Sequence, residues 1–183
     1  TSPEEPSWDK EYRNLLTGKC IKRIGNTTEY LIASSSNEPI VAKVLKIKDD
    51  GSIVWKKGYP QHGEVTDIAV TTDGYFLSGH KESFKGGIDG SITKISPNGL
   101  VIWNKVFGNP EGGTNNFFSD YIVSNELIFD ECWSIVNMNN SGVVVACGTG
   151  IEECDTLRGQ KRRDCEKDPR QTWRSYLVNI NFD

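Results

Sequence analysis

Apolar and polar residues alternate in short runs separated by turn residues, the period of half-buried strands. Val44, Leu45, Lys46 and Ile47 lead into Asp49-Asp50-Gly51, and Ile53, Val54 and Trp55 follow, with Lys57 and Tyr59 beyond. The same order returns at Ser91, Ile92, Thr93, Lys94 and Ile95. There the turn is Ser96-Pro97-Asn98-Gly99, and Leu100, Val101, Ile102, Trp103, Lys105 and Phe107 come after it. A copy of the second half opens the chain as Trp8-Asp9-Lys10-Glu11-Tyr12. The three tryptophans are 47 and 48 residues apart. A near-constant period of this size marks a repeat architecture.

Three units follow, at about 20–60, 63–108 and 130–183. In unit one, strands are predicted at 20–24, 30–33, 41–47 and around Trp55. In unit two they fall at 65–70, 75–79, 90–95 and around Trp103. The Asp73-Gly74 turn between apolar runs is a hairpin signal. In unit three they fall at 132–136, 143–147 and 173–182. Two insertions, 109–129 and 149–172, interrupt the rhythm. Asp183 aligns with Asp50 and Asn98, so unit three carries three strands, and residues 8–12 read as a fourth strand without its first three. The pattern predicts a single all-β, propeller-like domain of about three four-stranded antiparallel blades, the last shared between the two termini. Such sharing removes an unpaired edge.

The units resemble the β-propeller repeats of secreted bacterial and algal surface proteins. The resemblance rests most on unit two: Asp73-Gly74-Tyr75, Gly79, Lys94-Ile95, Asn98-Gly99, Trp103, Lys105 and Phe107-Gly108. Unit one departs from it with Glu29-Tyr30, and unit three with Asn179 in place of the lysine. The resemblance implies a propeller fold, and Asp89 as a structural residue before the third strand. Three blades are fewer than the usual four to eight of a closed ring. The expected partner is therefore another protein chain, either a second copy or a second chain of the same propeller.

Composition narrows the function classes. A net charge of −4 over 183 residues argues against a nucleic-acid partner, which calls for a basic face. No apolar run approaches the roughly 20 residues of a membrane span. The polar start, five cysteines and two Asn-x-Ser/Thr sequons point to a secreted or cell-surface protein. The motifs call for no cofactor and no metal.

Candidate chemistry is sparse. Cys132 and Cys147 flank one hairpin and face each other, either as a bridge or as a buried free pair. Cys154 and Cys165 lie in a charged loop with little core of its own, and a disulfide between them is expected, constraining the loop by about 2–3 kcal/mol. A zinc site there lacks ligands. Asn26 and Asn139 sit in equivalent hairpin turns, as glycosylation acceptors or simply as turn residues. His62 and His80 are the two histidines. With Tyr75 they are candidate catalytic groups of a propeller-fold polysaccharide lyase; the alternative places them on surface loops. Arg158, Lys161, Arg162, Arg163, Arg170 and Arg174 interleave with acidic residues, as a salt-bridged loop or as a contact for a partner chain or anionic glycan. Trp133 and Trp173 are read as core or blade-interface residues, while an exposed Trp173 beside Arg174 would suit sugar stacking.

The first function expected is a non-enzymatic binding and assembly module. An enzyme acting on anionic polysaccharide and a glycan-binding lectin are the alternatives.

Overall fold

The computed structural model describes residues 8–37, 40–82, 88–107, 129–139, 141–150, 159–160, 163 and 174–182. Among these residues the fold is all-β. Strands β1 (Gly18–Arg23), β2 (Glu29–Asn37), β3 (Ile40–Lys48) and β4 (Ile53–Tyr59) pair in sequence order as one antiparallel sheet. Strands β5 (Glu64–Thr71), β6 (Gly74–Glu82), β7 (Ile88–Ile95) and β8 (Val101–Phe107) repeat that order. Strands β9 (Phe129–Asn137), β10 (Gly142–Gly150) and β11 (Arg174–Asn181) form a third antiparallel group. A single parallel bridge, Ile88 to Phe129, ties it to the second.

The second sheet lies between the other two, and its strands β5 to β7 are buried on both faces. On β6, Tyr75 and Leu77 point one way, into a core with Leu31, Ala33, Val44 and Tyr59 of the first sheet. Phe76 points the other way, into a core with Ile135, Val143, Val145, Val178 and Ile180 of the third. This two-sided burial explains why Tyr75-Phe76-Leu77 is continuously apolar where a half-buried strand would alternate. Cys132 and Cys147 face each other across β9 and β10 and are joined by a disulfide, with Cα atoms 4.0 Å apart.

The turns of the first two sheets are alike. Gly51 and Gly99 both adopt φ of 74°, a left-handed backbone that favours glycine. Each donates its N–H to a carbonyl three residues back, Lys48 at 3.0 Å and Ser96 at 2.8 Å. Lys46 bridges to Glu29 and Lys94 to Asp73. Glu29 thus serves from a neighbouring position where the repeat pattern has an aspartate.

One expectation is corrected. Residues 8–12 form no strand, and β11 has no further neighbour among the described residues. Among the described residues the third group of strands therefore gains no strand from the N-terminal end. The reason is where the N-terminal side chains bind: Trp8, Lys10 and Tyr12 seat on the Gly51 turn of the first sheet, and the second sheet separates that sheet from β11.

Candidate docking site

The joint between successive units is built from one recurring motif. Tyr59 Oη donates to Gly99 O at 2.9 Å, and Trp55 Nε1 donates to Pro97 O at 3.3 Å. At the preceding joint, Tyr12 Oη donates to Gly51 O and Trp8 Nε1 to Asp49 O, each at 2.8 Å; Lys10 Nζ donates to Asp50 O. The side chains of Trp-x-Lys-x-Tyr therefore clamp the turn of the following unit. A Cβ on Gly99 would lie 3.0–3.1 Å from Tyr59, Lys57 and Trp55. One on Gly51 would lie 2.8–3.2 Å from Lys10, Trp8 and Tyr12. Both glycines are thus required for room as well as for backbone conformation. Trp103 is the third member of the series; it meets the Phe76 ring edge-on at 5.6 Å, while Phe182 stacks on Phe76 at 5.0 Å.

Asp67 on β5 knits all three sheets together. It pairs with Lys22 of the first sheet at 2.9 Å and accepts from Ser134 Oγ and the Ile135 N–H of the third at 2.9 and 3.1 Å. Burial opposes its charge, but the ammonium and these donors outweigh burial and hold its carboxyl below the ordinary range.

Equivalent rows of the units can be read from the strand register. Ala33 faces Val44, Ser78 faces Ile92, and Ala146 faces Leu177. Val44 and Ile92 are fully buried against the next sheet, whereas Leu177 is 72% exposed. The opposite faces behave likewise. Ile68 pairs with Leu77 and Ile135 with Val145, and both isoleucines are buried against the preceding sheet. Their counterpart Ile21, paired with Ile32, is 60% exposed. Each end of the array therefore presents, open to solvent, a face that internal units bury. The trailing face also exposes Trp133 and Val136 and holds a groove of about 340 Å³ lined by Trp133, Ala146, Cys147, Gly148, Ser175, Tyr176 and Leu177. Trp133 reaches it because the β9–β10 register slips between Ala146 and Cys147.

His62 is buried, not on the surface: its Nε2 lies 2.8 Å from Thr93 Oγ1, and its ring is held neutral, with burial lowering its pKa to about 3. His80 sits on β6, 3.7 Å from Glu64 and beside Trp133, and burial lowers its pKa against the pull of Glu64. Tyr75 lies near the opposite end of β6, paired with Ile95, with its side chain in the first core. The two histidines are near enough for the charge of His80 to oppose protonation of His62, but Tyr75 does not join them. No cluster of three metal-ligating side chains occurs among the described residues.

Asn26 and Asn139 are exposed in their turns, Asn139 with a φ of 49°. Cys20 is a free thiol, and burial followed by the nearby Asp67 charge raises its pKa to about 11. Cys154, Cys165 and Trp173 lie outside the described residues, as does most of the basic cluster, and Arg174 is placed only by its backbone at the start of β11. Among the described residues no helix is long and apolar enough to cross a membrane. The chain matches no family profile and no curated protein.

Proposed function

We propose that the chain is a secreted binding and assembly module, an array of propeller-type blades completed by another protein chain, which works by docking and not by catalysis. The observation that carries this reading is the exposure of Leu177 at a position whose counterparts Val44 and Ile92 are fully buried. A contiguous exposed apolar face marks an interaction surface. The Cys132–Cys147 disulfide and the exposed sequons support an oxidising compartment. The test is the native mass of the particle by light scattering, with and without reductant. A mass above the 20.4 kDa of one chain is expected; a monomer at every concentration overturns the reading.

A glycan ligand is the second reading, favoured by the exposed Trp133 beside the groove. Saturable quenching of tryptophan fluorescence by oligosaccharides, lost in Trp133→Ala, would support it.

A further inference from the structure

In both four-stranded sheets the clamp strand pairs with the third strand of its own unit at one register. Trp55 stands opposite Lys46 and Lys57 opposite Val44, as Trp103 stands opposite Lys94 and Lys105 opposite Ile92. Residues 8–12 carry the same clamp, already seated on the Gly51 turn, yet pair with no strand among the described residues. On β11, Asn179 and Leu177 occupy the positions of Lys94 and Ile92, since Val143 pairs with Ile180 as Tyr75 pairs with Ile95. Both halves of one more joint are thus on this chain, one at each end of the array. The second sheet lies between them, so the two halves meet only if they come from different copies.

We propose that the occupant of the trailing face is a second copy of this chain, joined head to tail. Residues 8–12 of one copy add to β11 of the other as its fourth strand. Trp8 lies opposite Asn179, Lys10 opposite Leu177 and Tyr12 opposite Ser175. The same register lays the Ile21 face of the first copy over the Trp133, Val136 and Leu177 face of the second. Main-chain pairing covers the open edge while side chains fill the groove, the mode of strand addition. The contact is heterologous, using different surfaces of the two copies, so it closes into a ring or continues as a filament. Two copies bring six units together, within the range of closed propellers. This inference rests on the assembly reading above and specifies its partner and register.

Mixed cysteine crosslinking tests it. Chains carrying Lys10→Cys are mixed with chains carrying Leu177→Cys under mild oxidation, and linked peptides are read by mass spectrometry. A disulfide between positions 10 and 177 is expected from the mixture and from neither variant alone. Glu11→Cys mixed with Leu177→Cys should give none, because residue 11 points to the other side of the strand. Leu177→Asp supplies a second measurement on a side chain already exposed in the monomer. It should leave the circular dichroism spectrum unchanged and weaken self-association by more than roughly tenfold, since the new charge would be buried at the contact. A wild-type oligomer without the 10–177 link overturns this inference and leaves the assembly reading standing. A monomeric wild type overturns both.

Discussion

The inter-unit clamp makes a quantitative claim about glycine. Gly25, Gly51 and Gly99 all adopt positive φ, at 51°, 74° and 74°. A Cβ on Gly25 would meet nothing within 4 Å, whereas one on Gly99 would lie 3.0 Å from Tyr59 Oη and 3.1 Å from Lys57 and Trp55. Gly25→Ala therefore carries only the left-handed backbone penalty, about 1 kcal/mol. Gly99→Ala adds crowding within a packed joint, about 1–3 kcal/mol more. The excess should shrink in a Trp55→Ala background, because removing the indole opens the space the new methyl needs. Urea denaturation of the four variants, followed by circular dichroism, measures each term and their coupling. Equal destabilisation by Gly25→Ala and Gly99→Ala would refute the clamp as a steric joint. Full additivity with Trp55→Ala would do so as well.

Three further outcomes follow from the same contacts. His62 has a native pKa of about 3 against an ordinary 6.5. The unfolded chain therefore takes up a proton there first, and stability should fall by about 1.4 kcal/mol per pH unit below about pH 6.5. The lowered pKa of His80 acts in the same direction; His62→Gln should flatten most of the slope in melts between about pH 7 and pH 4.5, and an unchanged slope would contradict the neutral buried ring. Asp67→Ala should cost about 2 kcal/mol or more, because it leaves the buried Ile68 and Ile135 N–H groups without their carboxylate acceptor; a loss under about 0.5 kcal/mol in urea titration would count against the three-sheet hub. Reducing the Cys132–Cys147 disulfide, whose sequence separation is 15, should cost about 3 kcal/mol in a thermal melt, and an unshifted melt would contradict a stabilising bridge.

Much of the strand order was legible because the repeat is written in local signals. The tryptophan spacing, the Asp-Gly and Asn-Gly turns and the alternating runs each place a strand without reference to the rest of the chain. What they omit depends on distant partners. Trp55, Lys57 and Tyr59 were readable as a strand but not as a clamp, since their target turn at Gly99 is about 40 residues away and belongs to another sheet. His62 reads as a loop residue because it lies between two units; its burial follows from Tyr59, Ala42 and Thr93 closing around it. Asp67 carries no motif at all, and its role appears only when three sheets meet. The N-terminal copy of the motif aligns with the other two, but alignment alone does not show that it seats on the Gly51 turn of the first sheet, away from β11 of the same chain. The side-chain hydrogen bonds of Trp8 and Tyr12 decide it.

On the proposed assembly, the exposed end faces that carry Ile21 and Leu177 are unit-to-unit contacts made with another chain. Sedimentation velocity of wild type beside Leu177→Asp tests it most directly. A wild-type particle of at least twice 20.4 kDa is expected, with a Leu177→Asp particle of one chain and the same fold. A wild-type monomer at every concentration, or an oligomer untouched by Leu177→Asp, would contradict it.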